Sequence, residues 1–407
     1  MSKHMSTGAP QTRRAVLKST LAAGASIALA APFVGVRAAT SDPIRIGCLN
    51  IYTKAGGVFG EAIYDGLQLY LDQQGGKIAG RPVELIKEND EFNPQVALQK
   101  IRKLVESDKV HIVAGPLGSH IASAISTYLK GTGTPWIVTG AGDTNLTKGR
   151  LPHMFRATLS DWQVASVMGT WAAAHLKKEA VYIGSDYLAG HDNAQAFRES
   201  FVAGGGKVVK EIFTPVGTND FSAYISQIGG IAPPMTYAFY SGSDAVRFVK
   251  QYDQFGMKSK SDLVTFQSVL DGETFPAQGD SGLGGISSGI YCETLDTPEN
   301  KAYVALFRPK HQSKYPGVFD ESGYTAMRII DDAAKAVNGN VEDVPAFSKA
   351  IASTNIVAPR GPVKFDQITH QAIQNVYIRE CVKIDGVVHN KVIDTIRDVG
   401  DYPPNRA

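Results

Sequence analysis

Few residues in this chain have the type and spacing that chemistry needs, and those few point to binding. Gly285-Ile286-Ser287-Ser288-Gly289 fits the G-x-S-x-G pattern of serine hydrolases, whose nucleophile sits on a sharp strand-to-helix turn. The residues that follow, Ile290-Tyr291-Cys292-Glu293, read as strand, so that turn lacks its helix and the pattern is taken as chance. The nine histidines are scattered, with no H-E-x-x-H or other close ligand pair, and no metal site is expected. Gly56, Gly57 and Gly60 do not form G-x-G-x-x-G, and no phosphate loop occurs, so no cofactor is expected.

What remains are loops suited to holding a small molecule. Segments 50–60, 115–120, 140–145, 185–191, 241–244 and 267–271 are rich in Gly, Ser, Thr and Asp. Such residues offer backbone N–H groups and short hydroxyls without bulk. Ser119 opens a helical stretch straight after a strand, where a hydroxyl and free N–H groups suit a carboxylate; the plain alternative is a helix cap. Tyr52, Phe59, Tyr187 and Tyr240 stand beside these loops and suit either an apolar ligand or the core. Asp143 and Asp186 suit a cationic group or open solvent.

The elements that must position these loops alternate. Apolar runs at 44–49, 83–87, 110–114 and 135–139 read as strands, with helical stripes at 61–74, 96–105 and 119–129 between them. Asn93-Pro94 reads as an N-cap and first-turn proline. The rhythm restarts with helices at 161–175, 192–201, 221–228 and 244–255 and strands at 180–184, 207–213, 236–240 and 263–266. Two βαβ series predict an α/β fold of two doubly wound, Rossmann-like lobes with parallel sheets. In such sheets ligands bind beyond the carboxyl ends of the strands, where the loops above lie. Towards the end, helical stretches 300–314 and 322–337 precede strands at 374–384 and 387–396. Asp385-Gly386 marks a hairpin between those strands.

At 407 residues the chain exceeds a single core. A net charge of +2 asks for neither nucleic acid nor an anionic membrane. Arg13-Arg14, with Leu17 and Lys18 behind them, precedes an Ala-rich apolar run over 21–36 and small residues Ala38 and Ala39. This is the order of a secretory signal of twin-arginine type over 1–39. The run is too short for a spanning helix, so the mature chain is expected to be soluble, not embedded in a membrane, and periplasmic. Cys48, Cys292 and Cys381 are an odd number. All three read as buried thiols, with a bridge between Cys292 and Cys381 as the alternative.

The order of the loops resembles the leucine/isoleucine/valine-binding protein family, the type I periplasmic binding proteins of ABC transporters. The resemblance covers residues 43–396. It is carried by Ile44-Arg45-Ile46-Gly47, Phe59-Gly60, Asp65-Gly66, the turn 75–80, Asn93-Pro94 and 114–119, and further by 186–192, Ser322-Gly323-Tyr324, 359–362 and 374–379. It implies two lobes, 43–158 with 293–361 and 159–292 with 362–400. Three hinge crossings, near 157–161, 289–294 and 359–364, would join them, with ligand in the cleft between. It also implies site roles by position. Phe59 would pack on the ligand, Leu117 and Ser119 would hold its carboxylate, and Ala141, Gly142, Asp143 and Thr144 would form a second loop. Tyr187, Ser243, Gln267 and Ser268 would close from the other lobe.

Two departures bear on the ligand. Amino-acid binders place a carboxylate where Gln267-Ser268 stands, to pair an ammonium; without one, a buried ammonium is costly. Phe92 and Gly118 occupy the places of the family's first-lobe disulfide. Asp143 is the one substitute for the missing carboxylate, and otherwise the ligand lacks an amine; Pro359-Arg360-Gly361 and Tyr377-Ile378-Arg379 resemble members that bind aromatic acids or related carboxylates. The resemblance implies a non-enzymatic monomer that takes a small carboxylate ligand, an aromatic acid ahead of a branched-chain amino acid, to an ABC transporter permease. A ligand sensor for a membrane receptor and an esterase using Ser287 are the other readings.

Overall fold

The structure, a computed structural model, describes residues 42–53, 56–312 and 314–401. The signal segment expected over 1–39 lies outside them. Two sheets organise the chain. The first has six strands, in the order β2-β3-β1-β4-β5-β6. They are β1 (Ile44–Asn50), β2 (Lys77–Ile78), β3 (Arg81–Asn89), β4 (Ile112–Ala114), β5 (Trp136–Val138) and β6 (Met154–Arg156). All pair parallel except β2 with β3. Between them run α1 (Gly57–Gln73), α2 (Pro94–Arg102), α3 (Ser119–Thr132) and α4 (Thr144–Lys148). The cap read from Asn93-Pro94 is present: the Asn93 carboxamide accepts Gln95 N at 2.9 Å, with Pro94 at the first helical position.

The second sheet opens with β7 (Glu179–Ser185), β8 (Lys207–Thr214), β9 (Met235–Phe239), β10 (Asp262–Phe266) and β11 (Ile286–Gly289). These pair parallel in the order β11-β10-β9-β7-β8. Helices α5 (Asp161–His175), α6 (Leu188–Ala203), α7 (Ser222–Ile231), α8 (Gly242–Gln254) and α9 (Phe275–Gln278) lie along this stretch. Then α10 (Pro298–Phe307), α11 (Val318–Ala336) and α12 (Val344–Ala352) precede β12 (Asn355–Ala358), β13 (Gly361–Phe365), β14 (Ala372–Ile384) and β15 (Val387–Val399). The last four strands extend the sheet antiparallel from β11. The hairpin read from Asp385-Gly386 joins β14 to β15, both residues at positive φ, 49° and 82°.

Differences from the sequence reading are local. The chain reaches the second sheet earlier than expected: β12 and β13 pair across Ala358↔Gly361, so a boundary at 361 falls inside one strand pair. Of residues 359–364, read as the third crossing, 361–364 belong to β13 and 359–360 are the turn that joins it to β12. Three-residue β6 and nine-residue α12 are too short to show a period in sequence.

The motifs that carry the resemblance acquire physical reasons. Helices α1 and α11 cross on glycines: a Cβ on Gly66 would lie 2.0 Å from Asp320 O, and one on Gly323 2.1 Å from Ile63 O. Arg360, wholly buried, pairs with Glu321 at 3.3 Å and donates to Ala157 O, tying the return strand to the exit of β6. Arg379, also wholly buried, pairs with Asp271 at 2.7 Å and donates to Tyr291 O, Gln267 O and Leu270 O. It thereby fixes the loop after β10. All three cysteines are free and buried. No described helix is long and apolar enough to cross a membrane.

Candidate functional site

The carboxyl ends of both sheets open on one cavity of about 570 Å³, within the range of roughly 300–1,000 Å³ usual for small-molecule sites. From the first sheet come Ile51, Gly56, Phe92, Leu117, Ser119, Gly140 and Gly142, each in a loop or helix start after a strand; Phe319 enters from the start of α11. From the second side come Ser185, Tyr187, Phe239, Ser241, Phe266 and Ser268 at strand ends, and Asp161, Ser243, Asp244 and Arg247 near the starts of α5 and α8. Five aromatic rings therefore face a space whose polar groups are few, the usual composition of a selective pocket.

Ser119 is buried, and Gly118, not Ser119, is the N-cap of α3. Its hydroxyl makes no hydrogen bond among the described residues, so it does not serve as a cap. The first N–H groups of α3 and this hydroxyl together suit an anion. On the opposite wall Arg247 is the one cationic side chain among the described lining residues. Its Nη1 donates to Asp244 Oδ1 at 2.9 Å and to Ser243 Oγ at 3.1 Å. Gly217 N donates to Asp244 Oδ2 at 2.7 Å. Burial raises the Asp244 carboxyl, while Gly217 N and Arg247 lower it. Tyr187 bridges the gap at its rim: its ring lies 5.9 Å from Phe92 and 6.0 Å from His120.

Behind this wall the two sides touch through carboxylates. Thr144 N, at the start of α4, donates to Asp192 Oδ2 on α6 at 3.0 Å. Burial, with Asp143 adding charge and a hydrogen bond, pushes Asp192 up to about 6; Thr144 N and Lys148 oppose that. Asp161 is buried beside them and lies well above the usual carboxylate range. Burial is the main cause, then Asp192, against Arg156.

Six residues singled out in sequence line the cavity: Leu117, Ser119, Gly142, Tyr187, Ser243 and Ser268. Six others stand off its wall. Gln267, in the turn after β10, points away from the cavity: Phe266 and Ser268 face in, while Gln267 Oε1 accepts Ile290 N at 2.9 Å. Ala141, in the loop after β5, lies between the lining residues Gly140 and Gly142 but packs into the core beside α3. Asp143 caps α4, its Oδ1 accepting Asn145 N at 2.8 Å. Thr144 instead meets Asp192. Phe59 is fully buried one layer back, its ring 4.7 Å from Phe319, which takes the cavity face. Tyr52 hydrogen-bonds Cys48 O and lies under Lys87.

Tyr240 packs in the core beside α8, and Asp186 pairs with His191 at the surface. Phe92 and Gly118, which occupy the places of the family's first-lobe disulfide, do face each other: a Cβ on Gly118 would meet the Phe92 ring at 2.8 Å. Ser287 lies within β11, 1% exposed, and accepts from Arg379 Nε at 3.1 Å, so the strand-to-helix turn of a hydrolase is absent there. No group of three or more His, Cys, Asp or Glu among the described residues is placed to hold a metal. Sequence reasoning missed Phe319, Phe239, Phe266, Asp161, Asp244 and Arg247. Asp161 and Asp244 carried a signal, an acid in the first turn of a helix; Phe319 carried none, because it arrives from 200 residues beyond the Ser119 loop.

Residues 43–386 match the periplasmic binding protein family. The Leu/Ile/Val-binding protein homolog 6 of Brucella melitensis is 28% identical over 383 residues, covering 92% of this chain and 97% of its own. An ABC transporter substrate-binding protein from Sphaerobacter thermophilus superposes with a TM-score of 0.83 at 34% identity, covering 88% of this chain and 99% of its own. A solute binding protein of an ABC transporter from R. palustris, in complex with benzoate, superposes with a TM-score of 0.83 at 31% identity, covering 88% and 98%.

Proposed function

Because the chain belongs to the periplasmic binding protein family, we propose that it is the exported substrate-binding component of an ABC importer and that it takes an aromatic carboxylate. The observation that carries this reading is the pairing within one cavity of five aromatic rings with an unoccupied Ser119 hydroxyl at the start of α3. The ligand's carboxylate would lie against Ser119 and the first N–H groups of α3. Its ring would lie among Phe92, Tyr187, Phe239, Phe266 and Phe319. Tyr187, Ser241 and Arg247 would lie over the ring from the second side, and hinge motion between the lobes would admit and release the ligand. Loop 267–268 carries no carboxylate, and Asp244 is already held by Arg247 and Gly217. The other lining acid, Asp161, is held towards its neutral form by burial, so an amino acid's ammonium would be poorly matched there. The binding of benzoate by the R. palustris relative supports the same class.

A melting-temperature screen of benzoate, hydroxybenzoates, leucine, isoleucine and valine tests this. Aromatic acids should raise the melting temperature by linkage, by about 2.7 kcal/mol of stability at one hundred times the dissociation constant. A shift with the aliphatic amino acids and none with the aromatic acids would reverse the assignment.

A further inference from the structure

No hydrogen bond accounts for the burial of the Asp161 carboxyl oxygen Oδ2. Asp161 is the first residue of α5, but Ser160 caps that helix, its Oγ accepting Gln163 N at 3.0 Å. Arg156, the cation of the cluster behind it, is taken up by Asp401 at 3.0 Å, by Asp143 O at 2.6 Å, by Thr147 and by Gln371. The Asp161 side chain lines the cavity, is 2% exposed, and its Oδ2 has no hydrogen-bond partner. A Cβ at residue 142 would come within 2.7 Å of Asp161 Cγ, so Gly142 is what leaves the carboxyl room at that wall.

We propose that the Asp161 carboxyl hydrogen-bonds an uncharged polar substituent of the ligand, a phenolic hydroxyl, and so makes this a site for hydroxylated aromatic acids in preference to unsubstituted ones. The inference rests on the aromatic-acid reading above and sharpens it. Burial, with Asp192, Asp143 and Asp401 nearby, disfavours the anion at Asp161, and a protonated carboxyl both donates and accepts. A hydroxyl needs one partner of that kind. An ammonium brings three donors, and the other lining carboxylate, Asp244, already accepts from Arg247 and Gly217. A buried polar atom without a partner costs free energy, so a ligand that supplies the missing bond gains over one that does not.

Calorimetry on the full chain with benzoate, 3-hydroxybenzoate and 4-hydroxybenzoate reads this as a ratio of dissociation constants. At least one hydroxybenzoate should bind roughly three- to tenfold tighter than benzoate, the worth of one neutral hydrogen bond. Asp161→Ala should bring the ratio to about one. Asp161→Asn, which keeps shape and hydrogen bonding but cannot ionise, should retain most of it. A ratio untouched by Asp161→Ala overturns the proposal, and so does Asp161→Asn losing as much as Asp161→Ala. If neither variant folds, a wild-type ratio of one is enough to overturn it. Wild-type protein that binds none of the three acids removes the aromatic-acid reading itself. Binding of benzoate without discrimination removes only the role of Asp161.

Discussion

Both walls of the cavity stand at the carboxyl ends of parallel strands, yet they are made differently. The first-sheet wall is mostly backbone and short side chains: Gly56, Gly140, Gly142 and Ser119, with Leu117 and Phe92 as its larger members. The second-sheet wall carries the charges and most of the rings: Asp161, Asp244, Arg247, Tyr187, Phe239 and Phe266. A wall of amides and a hydroxyl can hold any small carboxylate. A wall of fixed charges and rings must match the rest of the molecule. The comparison assigns affinity for the acid group to one side and choice among acids to the other, and four perturbations test that division.

The largest effect is expected beneath the second wall. Arg379 and Asp271 are 0% and 1% exposed in their side chains and 2.7 Å apart. Removing one partner of such a pair strands a buried charge, at about 3–5 kcal/mol. Arg379→Met should lower the stability measured by denaturant unfolding by that amount. A double variant with Asp271→Asn should recover part of it. A loss under 1 kcal/mol would mean that the loop after β10 does not depend on this pair.

Ser119→Ala addresses the first wall. It should weaken benzoate by about 1.5–3 kcal/mol, as for a hydrogen bond to a charged group, with the melting temperature of the free protein little changed. It should weaken benzoate and hydroxybenzoates alike, since every acid presents the same carboxylate. Unequal losses would contradict the division between the walls.

Much of the first wall was legible in sequence, and much of the second was not. Gly142 and Ser119 sit in short loops straight after strands, where local signals and the family pattern coincide. The turn after β10 decided between Gln267, which accepts from Ile290 N, and Ser268, which lines the cavity, and a single sequence does not fix which residue of a turn faces the cleft. Phe319 is placed by the α1–α11 crossing on Gly66 and Gly323, a tertiary fact. Arg247 is one helical turn from Ser243 on α8 and reaches the cavity only because Asp244 draws its guanidinium there. The fold itself was clear because α/β alternation is a long-range period. The β12–β13 pair was not, being two short strands joined at Pro359-Arg360.

A smaller effect belongs to the contact between the walls. Asp192 faces Asp143 and Thr144 across the gap, with Asp161 and Lys148 near, and its carboxyl is raised to about 6. Separated, Asp192 should titrate near the ordinary value of about 3.9. On the proposed hinge closure, the form in which the two walls meet then holds a proton that the separated form lacks between those values. Closure is favoured as pH falls below 6, and that advantage is lost above it. Affinity for 4-hydroxybenzoate should rise roughly three- to tenfold from pH 7.5 to 5, with proton uptake visible when calorimetry is repeated in buffers of different ionisation heat. Asp192→Asn should flatten the profile. A profile that stays steep in this variant would place the proton elsewhere.

The smallest effect concerns Tyr187, which separates ring from hydroxyl on the second wall. Its ring touches Phe92 and His120 across the gap and lies 6.2 Å from Phe239 behind it. Its hydroxyl meets Ser241, which donates to Ser268 Oγ at 3.3 Å. If the rings do the selecting, Tyr187→Phe keeps the packing and costs under about 1 kcal/mol in affinity, the low end for one neutral hydrogen bond. Tyr187→Ala, which also opens the rim to water, should cost more, and more for aromatic acids than for any aliphatic acid that binds. Equal losses in the two variants would shift the weight to the Tyr187–Ser241–Ser268 chain, and the second wall would then select through its hydroxyls.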